Sequence, residues 1–225
     1  MCPPGRVASR GRTRRSAPTA TVLMREISNN GEWTVMDKLF LPVLLGTNRQ
    51  NRNSVHPARW LIGQMQQRAE IETRLFDVGE FALPQHDYGQ ALKDQFPEWR
   101  DAIIRADGLV IVTPEYNHGY PGTLKAVLDL LLREYVHKAV ALVGVSAGPW
   151  GGTRVIEAMV HMVRELGLAV TFSDLNFPKV QNTFDAEGKL LDPAFEKRAK
   201  DFLDELVWMA TTLKWGRENV PSKFH

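Results

Sequence analysis

Five short β-like runs alternate along this chain with longer segments of helical period, and few folds accommodate that pattern. The strands are expected at residues 39–45, 70–78, 108–112, 138–145 and 168–172. The first, third and fourth are apolar on both faces, as strands buried in a parallel sheet are. Helices are expected at residues 53–68, 97–106, 122–135, 152–166 and 193–215. In the first of these Val55, Ala58, Leu61, Ile62, Met65 and Ala69 recur at helical spacing, and Pro57 falls in its opening turn, where a missing N–H costs little. Gly167 is placed to cap the fourth helix. Pro42 is awkward inside the first strand, since it removes a ladder donor. Either the strand starts after it or that position goes unpaired. Strict β–α alternation implies an α/β fold, a parallel sheet with helices on both faces joined by right-handed crossovers. Ligand loops after the first and third strands fit the flavodoxin-like strand order 2-1-3-4-5, a three-layer sandwich whose switch point lies between strands one and three.

Three loops at strand carboxyl ends carry unusual chemistry. The first, Gly46-Thr-Asn-Arg-Gln-Asn-Arg-Asn-Ser54, combines a turn-forming glycine with short polar side chains and two arginines ahead of a helix N-terminus. Free backbone N–H groups, the positive end of the helix dipole and Arg49 and Arg52 together make a cradle for one phosphate. The loop is neither a P-loop nor Gly-x-Gly-x-x-Gly, which argues against nucleoside triphosphates and the usual dinucleotide fold. A plain helix cap flanked by solvated arginines is the competing account. The second loop, within Thr113-Pro-Glu-Tyr-Asn-His-Gly-Tyr-Pro-Gly-Thr-Leu-Lys125, offers hydrogen-bonding groups and π-faces on a backbone shaped by proline and glycine. It suits a flat heteroaromatic ring. The third, Ser146-Ala-Gly-Pro-Trp-Gly-Gly152, allows close backbone approach to a ligand. A phosphate at one end and a planar ring at the other is the outline of FMN.

These motifs resemble the NADPH-dependent FMN reductase family of flavodoxin-like proteins, over about residues 40–174. The resemblance implies that Gly46, Thr47, Arg49, Asn53 and Ser54 surround the FMN phosphate. It implies that Pro114, Glu115, Tyr116 and Asn117 line the isoalloxazine ring, and that Ser146, Gly148 and Gly151 border it. It further implies NADPH or NADH as hydride donor, a small-molecule electron acceptor, and a homodimer or homotetramer, while the single cysteine makes a reducing, cytoplasmic setting the default. No residue is assigned as a catalytic acid or base, and no metal is expected. Ala126 follows Leu124-Lys125 where members of the family commonly carry asparagine, which puts one helix-face hydrogen bond in doubt. A flavodoxin-like electron carrier without nicotinamide activity is the alternative.

Composition narrows the field further. The single cysteine, Cys2, excludes an internal disulfide framework and any multi-thiolate metal site. The longest apolar runs are too short to span a bilayer. The formal charge of +2 conceals an asymmetry, because residues 1–25 hold six arginines and no acid. Removing those six from 28 basic residues leaves 22 against 26 acidic ones, a body charge of −4. Carriers tend to be more acidic than this, which favours the enzyme. Residues 1–35 are expected to be a disordered Arg-rich extension, with Met36 at a natural starting point and residues 36–225 forming the FMN-binding domain. A transit peptide or a nucleic-acid arm would share that composition, although nucleic-acid binding is not expected of the body. His161 and Glu165 sit one helical turn apart, but without a second histidine they read as a solvated pair. Ser146 lacks the surrounding pattern of a nucleophile elbow, which argues against a hydrolase.

Overall fold

The computed structural model describes residues 25–27, 33–35, 37–84, 87 and 89–224. Two units are distinguished, Met1–Met36 and Asp37–His225. In the first, β1 (Arg25–Ile27) pairs antiparallel with β2 (Trp33–Val35). Otherwise the expectation of a disordered extension over residues 1–35 lies outside the described residues.

The second unit begins with β3 (Leu39–Phe40) and β4 (Val43–Leu45), one run of extended chain interrupted at Pro42. The N–H groups of Leu39, Leu41 and Val43 donate in turn to the carbonyls of Glu70, Glu72 and Arg74, each at 2.9 Å. Even-numbered positions face the opposite neighbour. There Pro42 has no N–H to give, and its carbonyl accepts from Val110 N at 3.0 Å. Phe40 N–H is satisfied instead by the Asp107 carboxylate at 3.2 Å. The hydrogen-bond ladder therefore continues past Pro42, which donates nothing and divides β3 from β4.

The chain continues through α1 (Val55–Gln66), β5 (Ile71–Glu72), β6 (Leu75–Asp77), α2 (Pro97–Arg105) and β7 (Gly108–Pro114). It then forms α3 (Gly122–Leu128), β8 (Ala139–Val145), α4 (Thr153–Glu165), β9 (Ala169–Val170), β10 (Leu175–Phe177) and α5 (Ala194–Asn219). The main sheet is parallel, ordered β10-β8-β7-β4-β6, with β9 also on β8. Counted as five strands, this is the expected order 2-1-3-4-5. Every residue of β7 and β8 is buried, because helices cover both faces. Phe40, Leu44, Leu109, Ile111, Val140 and Leu142 share a core with α2, α3 and α4. The alternate residues Leu41, Val43, Val110, Val112, Ala141 and Val143 are equally buried and point the other way. On that side α5 packs against β8 and α1.

The expected second strand over residues 70–78 comes as β5 and β6, and two further elements differ from the sequence reading. The third helix was expected to reach residue 135 because apolar spacing persists through Leu131 and Tyr135. Instead the chain tightens to i→i+3 bonds at Leu130 and Leu131, and Leu132 N–H is taken by the Glu134 carboxylate at 3.1 Å. The fifth strand was expected at residues 168–172. It comes in two pieces, with Leu175, Asn176 and Phe177 pairing with Val143, Gly144 and Val145 at the end that carries the ligand loops.

Candidate functional site

The chain leaves β4 toward β6 on one side and β7 on the other, so the carboxyl ends of these strands open a crevice at the switch point. A cavity of about 350 Å³ occupies it. Arg49, Asn53 and Ser54 of the first loop line this cavity, as do Pro114, Glu115 and Tyr116 of the second and Ser146 of the third. Three loops separated by about a hundred residues of sequence thus meet at one place, as expected. A second cavity, about 330 Å³, opens beside Phe76, Phe81 and Trp99, but only the loop after β6 reaches it.

Ser54 stands at the N-cap of α1 with its hydroxyl buried, and that hydroxyl has neither a capping bond nor any other partner among the described residues. Such an oxygen is costly unless something donates to it or accepts from it. Arg49 enters no ion pair among the described residues and lies 5.9 Å from the Tyr116 ring centroid. Arg52 is different, because it is paired with the Asp77 carboxylate, whose other oxygen holds Gly79 N–H at 2.8 Å. A free cation and a free hydroxyl therefore sit together at the start of α1, where a phosphate fits.

At the other end, the second loop folds back as a two-residue hairpin turn. Tyr116 and Gly119 exchange both backbone bonds, at 2.9 and 3.0 Å, while Asn117 and His118 take φ of 50° and 66°. Positive φ at both central residues is the type I′ geometry, and asparagine and histidine tolerate it better than most side chains. Glu115 also lines the cavity, and its Oε2 is buried with no hydrogen-bond partner among the described residues.

Several expected residues shape the cavity without lining it. Thr47 is 1% exposed, and its hydroxyl bonds the Tyr116 hydroxyl at 3.1 Å and accepts from Arg49 N at 3.3 Å. It braces the first loop against the second. At Gly46 a Cβ would lie 2.8 Å from Leu124 Cδ2, so its small size lets β4 approach α3. The Gly148 carbonyl accepts from Ser146 Oγ and Lys179 N, both at 3.0 Å. Gly151 has φ +63° and no room for a Cβ against Asn176 and Pro178. Asn117 contributes the turn. The cavity wall also includes Asn51, Val145, Ala147 and Val180, which sequence reasoning did not single out. Val180 had no signal at all. It arrives because its N–H donates to Ser146 O at 3.1 Å and Gln181 Nε2 donates to Ala147 O at 3.2 Å.

A parallel α/β sheet of this order, with a loop-lined cavity at its switch point, is a flavodoxin-like ligand-binding fold. The chain belongs to the NADPH-dependent FMN reductase family, whose model matches residues 41–182. It is 28% identical over 176 residues to the FMN-dependent NADPH-azoreductase of Staphylococcus haemolyticus (strain JCSC1435), covering 73% of this chain and 92% of that protein. Identity to the Staphylococcus aureus (strain USA300) protein of the same name is 29%, with the same coverage. Among solved structures, FerB, a flavoenzyme NAD(P)H:(acceptor) oxidoreductase from Paracoccus denitrificans, shares the fold. Its TM-score is 0.64 at 22% identity, over 77% of this chain and 98% of that one. The protein is accordingly an NAD(P)H-dependent, FMN-dependent reductase. No helix among the described residues is long and apolar enough to cross a membrane.

Proposed function

We propose that this enzyme carries electrons from NADPH through FMN to a small acceptor of the flavin, quinone, azo or metal-oxyanion kind, with donor and acceptor using one slot in turn. The observation that carries the reading is the cavity itself, which pairs the unpartnered Ser54 hydroxyl and unpaired Arg49 with a ring-sized space beside Glu115 and Tyr116. When bound, FMN supplies a ring that accepts hydride from the nicotinamide and hands the electrons on. Ser54, Arg49 and Asn53 anchor the phosphate and fix the register of the ring. The Tyr116–Gly119 turn fixes Tyr116 beside the ring space, and Thr47 holds it in place from behind. Pro114 and Val145 make that end of the slot apolar. None of these residues needs to act as an acid or base. Family membership supports a homodimer or homotetramer working in a reducing, cytoplasmic setting.

The test is an absorption spectrum of purified protein before and after NADPH is added without oxygen. A flavin spectrum that bleaches is the expected result. A flavin spectrum that persists with both NADPH and NADH would support the electron-carrier alternative. Protein that stays colourless after FMN is added refutes the site.

A further inference from the structure

We infer that the second cavity, beside edge strand β6, is a cage for a small organic cation of the quaternary-ammonium class, separate from the flavin site. It encloses about 330 Å³, and much of its wall is aromatic. Phe76 and Trp99 are buried there, and Phe81 and Phe96 are half-buried. The four rings do not form one stack. Trp99 stands at 66° to Phe76 and at 83° to Phe81, with centroids 5.2 and 6.1 Å apart, whereas Phe81 and Phe96 lie 5.4 Å apart at 29°. Rings set near right angles make walls round a space, and the negative π-face of an aromatic wall attracts a cation.

The charges in the wall have the matching sign. Glu80 and Glu98 line the cavity against one cation, Arg74. Arg100, further along α2, is taken by Asp94 at 2.5 Å and Asp101 at 3.0 Å. Arg74 already behaves as a tethered occupant. Its guanidinium lies 4.7 Å from the Phe76 ring centroid, and its charge is paired with Glu98. Both parts of cation recognition, a π-face and a carboxylate, are thus in use within the chain. That ion pair is largely exposed and so weak, which lets a free cation displace it at small cost. The N-terminus of α2 lies at the same wall, and its dipole disfavours a cation. Glu98 in the first turn offsets that effect, and Glu80 tips the balance. A trimethylammonium group suits such walls, because it spreads its charge over methyl surface and needs no hydrogen-bond acceptor.

The experiment compares choline with its uncharged isostere dimethylbutanol, in which carbon replaces the charged nitrogen. Each is titrated against the protein in saturating FMN, and affinity is read from broadening of the methyl proton signal that both compounds carry. Choline should bind about 10-fold more tightly than the isostere. Arg74→Gln removes the tethered competitor and should tighten choline about 3-fold, whereas Glu80→Gln should weaken it by a similar factor. Phe81→Leu keeps an apolar wall but removes a π-face, so it should erase most of the advantage of choline. Equal affinity for the two compounds would leave an ordinary apolar pocket and overturns the inference, as does binding of neither. Weaker choline binding in Arg74→Gln would mean that Arg74 serves an anion, which also overturns it. An advantage unchanged in Phe81→Leu would place the choline site elsewhere on the protein and refute the cage. None of the three substituted residues lines the flavin cavity, so NADPH should bleach bound FMN in every variant as in the wild type, which reports that each has folded.

Discussion

Replacing Ser54 with alanine should weaken cofactor binding without weakening the fold. An N-cap serine usually supports its helix, and its loss costs about 0.5–2 kcal/mol. Here the hydroxyl makes no capping bond to α1, so there is no such contribution to lose. Its oxygen is buried and unpartnered in the apoprotein, a condition that costs about 1–3 kcal/mol when a polar group is left unsatisfied. Ser54→Ala removes that oxygen, so the apoprotein should be unchanged or more stable by up to about 1 kcal/mol. Binding moves the other way. A hydrogen bond to a charged phosphate is worth about 1.5–3 kcal/mol, so FMN affinity should fall about 10- to 100-fold. Apoprotein stability is measured by urea unfolding followed by circular dichroism, and affinity by flavin fluorescence titration. An apoprotein destabilised by more than about 1 kcal/mol with unchanged FMN affinity would show that Ser54 is an ordinary helix cap. The phosphate end of the cavity would then lie elsewhere.

Two further outcomes follow from the backbone and the buried charges. Gly152 has φ +83°, and a Cβ there would lie 2.7 Å from Val145 N, so Gly152→Ala should cost about 3 kcal/mol in urea unfolding; a loss below about 1 kcal/mol would mean that the third loop yields easily. Burial, reinforced by Arg217, pushes the Lys138 ammonium down to about 8 although it donates to the carbonyls of Ile103 and Ile104. Between that value and the ordinary lysine range the unfolded chain binds more protons than the folded one, so this group makes stability rise with pH from about 8 to about 10.5. Relative to Lys138→Met, the wild type should gain about 2 kcal/mol across that window. A constant difference between the two proteins would refute the shift.

Much of the architecture is legible because it depends on local pattern. A strand buried on both faces must be apolar throughout, so β7 and β8 announce themselves. Alternation and crossover handedness fix the parallel class, while the strand order follows only from where the ligand loops fall. The loop chemistry is also local, since Ser54 stands at a helix start and the Pro-Glu-Tyr-Asn segment directly follows a buried strand. What the pattern misses are elements decided by partners far away in sequence. β10 pairs with β8 only because the sheet edge is free there, although Leu-Asn-Phe alone is an unremarkable tripeptide. The third helix ends at Leu128, where the following residues tighten to i→i+3 bonds, and nothing in its apolar spacing says so.

The same division runs through the site. Residue types and their positions after strands determine by themselves that a phosphate and a flat ring can be met, because those chemistries need particular groups at strand ends. Only the tertiary structure decides which group does which task. It ties Arg52 to Asp77 and leaves Arg49 free, turns Thr47 inward as a brace, and brings Val180 into the wall through two hydrogen bonds. It also leaves Ser54 and Glu115 each with a buried oxygen that has no partner among the described residues. A hydrogen bond belongs to two groups at once, so a residue's role stays open until the chain has folded and its neighbours have been satisfied or left wanting.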